Sequence, residues 1–165
     1  MIEKLQAHYG CSRMPFGRDL APGMLHRHAS HNEAVARITW CISERSIGMD
    51  QDSPPSCLLV GQPTLRRTMK LAVLAALEQR TALRYTMPGM TATETASHIK
   101  HHLGLAGRSD QLFTDDAVTL IHTTSRGFPR AVNNLCLQSL VATFAAGKSL
   151  VDEKAAQSAV TEVLD

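Results

Sequence analysis

The sequence predicts a mainly α-helical protein, with one or two short strands in its first half and an all-α bundle in its second half. Two observations support this prediction. From about Pro88 onward, apolar residues recur at helical spacing between clear helix start and stop signals. Before Pro88, the short apolar run Cys57–Val60 has the length and composition of one buried strand in a parallel sheet.

The first 45 residues contain one predicted helix. We expect residues 1–29 to be irregular, because prolines and glycines interrupt every apolar period in them. Ser30 followed by Glu33 fits a capping box, in which the two side chains satisfy backbone N–H groups at a helix start. The apolar residues that follow recur at helical spacing up to about Arg45.

Two short strands are predicted between that helix and the bundle. Cys57–Val60 follows a polar segment and ends in Gly-Gln-Pro, a strand exit that would present polar groups to a ligand. Thr64 opens a helical pattern that runs to about Arg80. Leu83–Met87 alternates as a strand does, until a Pro-Gly pair ends the pattern.

Four helices with distinct end signals are predicted in the second half. Their starts are the capping box Thr91 with Glu94, then Thr114, then Pro129, and finally Asp152. Glycines follow the apolar pattern where the first three helices should end. The sequence therefore predicts an all-α domain over residues 88–165.

Composition limits the classes of function. An apolar fraction of 44% with 19% charged residues is typical of a globular protein. A net charge of +2 and an aromatic content of 4% argue against direct DNA binding. The sequence has no secretory signal segment, no apolar run of the roughly 20 residues that span a bilayer, and no paired cysteines. We therefore expect a cytoplasmic protein without membrane insertion.

Two stretches imitate parts of a nucleotide-binding site. Gly147-Lys148-Ser149 matches the end of a phosphate loop, but Ala142 stands where that pattern needs a glycine, and a helix precedes it. We interpret Gly147 as a helix C-terminus. Leu150–Glu153 imitates an apolar strand that ends in Asp-Glu, but two apolar residues do not make a strand, so Asp152 is interpreted as a helix cap.

The histidines offer a possible metal site. Two groups stand out: His26, His28 and His31 near the N-terminus, and His98, His101 and His102 on a predicted helix. His98 and His102 share a helix face, as zinc ligands can. No Cys or Glu nearby completes a common zinc pattern, so we interpret these histidines as solvated or capping and predict no metal.

Arginines offer the remaining candidate contacts. Arg66-Arg67 is interpreted as a solvated helix face. In GFPRAVNN, a glycine stop and a proline place Arg130 in the first turn of a helix, where a fixed guanidinium suits phosphate oxygens. A structural salt bridge is the alternative for Arg130. Asn133, one turn further on, is expected to orient Arg130 or to face solvent.

Several stretches resemble one family. GFPRAVNNL resembles the second-sensor motif of AAA+ ATPases, and LLVGQPTLRR is similar to the fourth core strand and first-sensor exit of the AAA+ branch that contains general secretion pathway protein A and transposition helper ATPases. LAALEQRTALRYTMPGMTATETASHIKHHLGLAG resembles that branch's passage from core to lid. YGCSRMPFGRDL and HNEAVARITWCISERSIGM resemble its N-terminus. Nearly the whole chain lies within this resemblance.

The resemblance implies a truncated nucleotide-binding core over residues 1–87 and a C-terminal helical lid domain over residues 88–165. It implies ATP and Mg²⁺ as cofactors of the family. It places Gln62 at the first sensor, Arg80 at the arginine finger and Arg130 at the second sensor. It also implies partners, namely AAA+ subunits in an oligomer together with a transposase or a secretion component.

The chain departs from the family pattern after Ile47-Gly48. There the family continues into the phosphate loop, several βα units and the Asp-Glu strand, whereas residues 49–56 lead directly to the fourth strand. At about 30 residues for each βα unit, roughly a hundred residues of core are absent. An internal deletion is the economical explanation; a natural short isoform and an assembly artefact are the alternatives.

The loss of that core removes every catalytic position of the family. We therefore predict that no catalytic residue remains and that hydrolysis of ATP is lost, with ATP binding itself left open. The main prediction is an AAA+ family protein without activity, in a transposition or a secretion role. The alternative is an interaction module that associates with full-length AAA+ relatives, and a DNA-associated helical protein is less favoured.

Overall fold

The computed structural model describes residues 2–17, 20–46, 58–81 and 83–164. Within these ranges the chain forms eight α-helices, and the predicted mainly α-helical fold is confirmed. The helices are α1 Ile2–Tyr9, α2 Ala29–Ser46, α3 Pro63–Met69, α4 Ala75–Gln79, α5 Ala92–Leu105, α6 Asp115–Ser125, α7 Pro129–Ala145 and α8 Glu153–Leu164. Two short 3₁₀ turns lie at Pro22–Met24 and Ala72–Leu74.

The chain divides into two compact units. One unit consists of Met1–His28 together with Pro88–Asp165, and the other is Ala29–Met87. The segment before His28 therefore packs with the C-terminal helices. The assignment of residues 1–87 to a truncated core and of residues 88–165 to a lid domain remains a prediction.

The larger unit has a continuous apolar core. Helices α5 to α8 supply most of it, including Ile121, Leu135 and Leu140, each at most 2% exposed. Helix α1, in a stretch predicted to be irregular, adds Leu5 and Tyr9 to the same core. Tyr9 Oη donates a hydrogen bond to Leu140 O at 2.8 Å, so α1 is joined to α7 by a polar contact inside an apolar interface.

The predicted helix starts in this unit are confirmed. Thr91 Oγ1 accepts from Glu94 N at 3.2 Å, while Thr91 N donates to Glu94 Oε2 at 2.9 Å, which completes the capping box. Thr114 Oγ1 accepts from Ala117 N at 3.2 Å, and Asp152 Oδ1 accepts from Ala155 N at 2.9 Å. Each contact satisfies an N–H group that the helix leaves without an internal partner.

A single parallel β-bridge joins the starts of α6 and α8. It pairs Phe113 with Val151, the apolar residue directly before the Asp152 cap. Val151 N donates to Leu112 O at 2.9 Å, and Thr114 N donates to Val151 O at 3.0 Å. Both bridge residues are buried, so this contact fixes the two helix starts to each other.

Both predicted strands are wrong over the residues that the structure describes. Leu58–Val60 forms no strand, and Val60 is 82% exposed; Cys57 lies outside the described residues. Leu83–Met87 forms no strand either. A strand needs a neighbour for its backbone N–H and C=O groups, and the described part of the chain supplies none for these two runs.

The smaller unit, Ala29–Met87, contains α2, α3 and α4. The predicted capping box of Ser30 and Glu33 is wrong, because α2 begins one residue earlier and Glu33 instead bonds Arg37 at 2.6 Å. Tyr85 Oη donates to Ser30 O at 3.1 Å, and the Arg37 guanidinium lies 5.1 Å from the Tyr85 ring centre. These polar contacts join the end of the unit to α2.

None of the helices in the described ranges is long and apolar enough to cross a membrane.

Candidate functional site

The start of α7, where Arg130 lies, is fixed by an unusual loop. Arg126 and Gly127 both have left-handed backbone angles, with φ of 52° and 69°. Gly127 O accepts a hydrogen bond from Met90 N at 2.8 Å. A Cβ atom on Gly127 would lie 2.0 Å from Met90 O, so both the backbone angle and the close approach require glycine there.

A second glycine completes this contact from the other side. A Cβ atom on Gly89 would lie 2.0 Å from Arg126 O. The two glycines therefore let the backbone before α5 touch the backbone before α7 without side chains between them. Pro129 then fixes the first turn of α7, and its missing N–H costs nothing at that position.

Arg130 is the second residue of α7, and its side chain is exposed. Within the described ranges its guanidinium forms no hydrogen bond and no ion pair, so the alternative of a structural salt bridge finds no partner there. Phe128, the residue before the helix, provides no side-chain cap. The arginine therefore stands beside uncapped N–H groups at the positive end of a 17-residue helix, a setting that favours an anion.

Asn133 was expected either to orient Arg130 or to face solvent, and it does neither. Its Oδ1 accepts a hydrogen bond from His98 Nε2 at 2.8 Å, so it joins α7 to α5. This bond also assigns the tautomer of His98, because a proton on Nε2 leaves Nδ1 with a bare lone pair. The amide serves the packing of two helices, and Arg130 is positioned by its backbone alone.

Two histidines on α5 are buried, so the prediction of solvated or capping histidines is wrong for them. His98 and His102 are 5% and 3% exposed. Their ring centres are 4.4 Å apart, and the His26 ring lies 5.5 Å from His98 and 5.4 Å from His101. We call His26, His98, His101 and His102 the histidine cluster.

Burial lowers the pKa values of three histidines of the cluster and so favours their neutral forms. Loss of water around His102 lowers its pKa to about 4, with the neighbouring His98 adding to the effect. Burial likewise lowers the pKa of His98, against an opposing contribution from its bond to Asn133. Burial is also the largest cause that lowers the pKa of His26. Among the described residues, no group of three or more His, Cys, Asp or Glu side chains could hold a metal ion.

The sequence contained a signal for this burial. His98 and His102 directly precede Ile99 and Leu103, both of which are core residues of α5. Residues one position before two core residues of a helix lie at the edge of the same buried face. The position of these histidines relative to the core residues of α5 therefore predicted their burial better than a comparison with zinc-ligand patterns did.

Gln62 and Arg80 both lie in the unit Ala29–Met87. Gln62 immediately precedes α3, is exposed, and makes no side-chain cap. Arg80 follows the last residue of α4 and is exposed as well. Their side chains have no hydrogen-bond or ion-pair partner in the described part of the chain. Their roles as first sensor and arginine finger, like that of Arg130 in the other unit as second sensor, remain predictions.

The GKS stretch is a helix end, as predicted. Gly147 has a left-handed φ of 68°, and Lys148 N donates to Thr143 O at 3.1 Å, which closes α7. Lys148 Nζ bonds Asp152 Oδ2 at 2.7 Å, and this bond is the main cause that lowers the pKa of Asp152. The lysine and the carboxylate are thus paired with each other, and this stretch does not fit a site for ATP and Mg²⁺.

One relative supports a connection to secretion proteins. General secretion pathway protein A of Aeromonas hydrophila is 32% identical to this chain over 90 residues. The chain is a distant relative of that protein. The match covers 54% of this chain but only 16% of the length of the Aeromonas protein, so the chain corresponds to about a sixth of it. No protein-family model matches the chain, and no solved structure does.

Proposed function

We propose that this chain is a member of the AAA+ family that does not hydrolyse ATP and acts by associating with complete AAA+ subunits. The resemblance along nearly the whole chain and the distant relationship to general secretion pathway protein A support the family. An internal loss of the core between Gly48 and Cys57 explains how such a chain would arise.

The main support is the exposed apolar surface of the unit Ala29–Met87. No residue of this unit is buried among those whose burial the structure describes. Large apolar side chains point outward instead: Trp40 is 60% exposed, Val60 82% and Val73 85%. Apolar surface of this kind is typical of a site that another protein covers, because burying it yields about 25 cal/mol for each Å².

A complete AAA+ subunit is the proposed occupant. In the family, the segment that corresponds to Leu58–Val60 is a strand covered by neighbouring strands of the sheet. A complete AAA+ subunit contains those neighbouring strands and could cover the exposed segment of this chain. Arg80 is exposed and unpaired among the described residues, as an arginine that reaches into a neighbouring subunit's site must be. An arginine finger acts in the nucleotide site of a neighbouring subunit. This role therefore requires only that Arg80 reach that site, and it does not require ATP to bind to this chain.

Hydrolysis by this chain itself is not proposed. The family's phosphate loop supplies backbone N–H groups and a lysine, and its Asp-Glu strand supplies the metal ligand and the base. In the described residues the GKS stretch ends a helix, and Lys148 is paired with Asp152. Arg130 alone would give a weak, salt-sensitive contact with phosphate. We expect calorimetric titration with high-micromolar ATP, with and without Mg²⁺, to give no saturable heat.

The functional test is the ATP turnover of a complete relative, the Aeromonas protein, in mixtures with this chain. We expect the chain to change the turnover in a saturable way and Arg80→Ala to reduce the size of that change. Val73→Asp, which places a charge on the exposed apolar surface, should abolish the effect. Val163→Asp is the matched control, because Val163 is 46% exposed but lies on α8 in the other unit. Equal effects of Val73→Asp and Val163→Asp would contradict the proposal.

A further inference from the structure

The histidine cluster lies between α5 and the N-terminal segment, and it holds that segment in place. His101 Nε2 donates to Met24 O at 2.7 Å, and His26 Nε2 lies 3.0 Å from Ser97 Oγ. The Phe16 ring stacks on His102, with ring centres 5.3 Å apart. All four histidines therefore contact, or belong to, the segment formed by the described residues between 12 and 28, because the His98 ring lies against the His26 ring.

The same segment is anchored at the end of α5 by hydrogen bonds to backbone carbonyls of α5 and its C-cap. Ser12 N donates to Ala106 O at 2.8 Å, and Arg13 Nε donates to Leu105 O at 2.8 Å. Phe16 has a left-handed φ of 61°, a conformation that an L-residue adopts only when its surroundings hold it there. The segment thus depends on contacts with α5 for its conformation.

Two histidines of the cluster have a buried ring nitrogen without a hydrogen-bond partner among the described residues. His98 uses Nε2 to donate to Asn133, and its Nδ1 is buried with no hydrogen-bond partner in the described residues. His26 Nδ1 is buried without a partner as well. A second proton on His98 would have to go to Nδ1, where the resulting N–H would have no acceptor.

The charges around the cluster also oppose protonation. From the N-terminal segment, Arg13 lowers the pKa of His102, and His28 lowers the pKa values of His26 and His98. On α5, Glu94 acts in the other direction, but on His26 alone among the three histidines with lowered pKa values.

Among the described residues, the polar contacts that α6 and α7 make with α5 bring no negative charge that would compensate for protonation of the cluster. From α6, His122 reaches α5 at Thr95, with 2.9 Å between its Nδ1 and Thr95 Oγ1. From α7, the polar contact is the uncharged Asn133. Protonated rings in the cluster would therefore repel one another with little screening.

We propose that the histidine cluster is an acid-sensitive clamp, whose protonation releases the N-terminal segment from α5. In the closed form the segment covers α5, and burial favours the neutral rings of His26, His98 and His102. As the pH falls below 6.5, the ordinary pKa of histidine, protons bind more tightly to the released form, because its imidazoles are solvated. The equilibrium then shifts toward release, while the helical bundle behind α5 keeps its core.

Hydrogen exchange measured by NMR tests this proposal on the full chain. The reporter is the Ser12 amide, bonded to Ala106 O, and the reference is the Val151 amide, bonded to Leu112 O in the core. After correction for intrinsic exchange, a single histidine that moves from a pKa of about 4 to about 6.5 on release reduces protection by about 30-fold between pH 7.5 and pH 5.0. We expect this reduction of protection at the Ser12 amide and less than a threefold change in protection at the Val151 amide. EDTA in every sample removes metal ions.

Two variants assign the effect to the cluster. His102→Phe keeps an aromatic ring against Phe16 but cannot be protonated, so the loss at Ser12 should fall to less than a third of its wild-type size. His8→Phe makes the same change at an exposed position of α1, outside the cluster, and should leave the loss unchanged. If His102→Phe does not fold, His102→Gln, whose side chain also cannot be protonated, replaces it with the same expectation. Equal losses at Ser12 and Val151, no loss at pH 5.0, or a full loss in the cluster variant would overturn the proposal.

Discussion

Asn133 on α7 accepts a hydrogen bond from His98 on α5, with 2.8 Å between Oδ1 and Nε2. The residue that the sequence motif placed next to Arg130 therefore joins two helices instead of orienting the arginine. The start of α7 is therefore fixed by this bond, by the close approach of Gly127 to Met90, and by the proline in the first turn of the helix. Arg130 is presented to solvent from a rigid position.

Asn133→Ala should destabilise the protein by about 1–3 kcal/mol, because the buried Nε2–H of His98 would lose its acceptor. Urea denaturation followed by circular dichroism measures this change. Asn134→Ala is the matched control, since Asn134 is exposed on the same helix, and we expect a change within about 0.5 kcal/mol. Equal effects of the two substitutions would show that the bond to His98 contributes nothing.

Gly127→Ala should cost at least about 2 kcal/mol, because alanine disfavours a φ of 69° and its Cβ would press on Met90 O. Gly104→Ala provides the comparison. Gly104 lies in α5 with nothing within 4 Å of an added Cβ, so alanine there should stabilise by up to about 1 kcal/mol. Thermal unfolding of both variants checks that the two substitutions change the stability in opposite directions. A neutral Gly127→Ala would mean that the two chain segments do not touch as described.

Alkaline pH should weaken the attachment of α1. Burial raises the pKa of Tyr9 from 10.0 to about 12, so its contribution to stability is complete below pH 10 and is lost as the pH rises to 12. Two pH units correspond to about 3 kcal/mol. We expect the free energy of unfolding to fall by this amount over that interval in the wild type. In Tyr9→Phe, which has no ionisable group and loses the bond to Leu140 O, this part of the pH dependence should be absent.

Lys148→Ala should cost less than about 1 kcal/mol, because its pair with Asp152 is partly exposed to solvent. The same substitution should have no effect on the interaction with ATP, since the GKS stretch ends a helix. Lys154→Ala, which removes an exposed lysine from α8, is the control for the change in net charge. Saturable ATP binding by the wild type that disappears in Lys148→Ala would contradict the interpretation as a helix end.

The features that were predictable from the sequence are the local ones. The capping box of Thr91 and Glu94 and the helix end at Gly147 depend on residues within one turn of each other, so their patterns determine their structure. The strand prediction for Leu58–Val60 was wrong because a strand depends on distant partners, and an apolar run cannot indicate whether they exist. The position of His98 and His102 beside the core residues of α5 indicates that they lie at a buried face, but no local pattern reveals which segment covers them; its contacts with α5 span 71 and 77 residues.

The candidate site was predictable to a similar extent. The proline and the glycine around Arg130 fixed its place in the first turn of α7, because both act on the backbone locally. The role of Asn133 was missed, because its partner lies 35 residues away on another helix. For Gln62 and Arg80 the prediction rests on a family resemblance, and the structure adds that both residues are exposed.

Sedimentation velocity of this chain mixed with the complete Aeromonas protein tests the central claim most directly. The account predicts a new, faster species that grows with concentration, and at least a tenfold weaker association for Val73→Asp than for the control Val163→Asp. Independent sedimentation of the two proteins at all concentrations would contradict the proposed association, and so would a complex that Val73→Asp leaves intact.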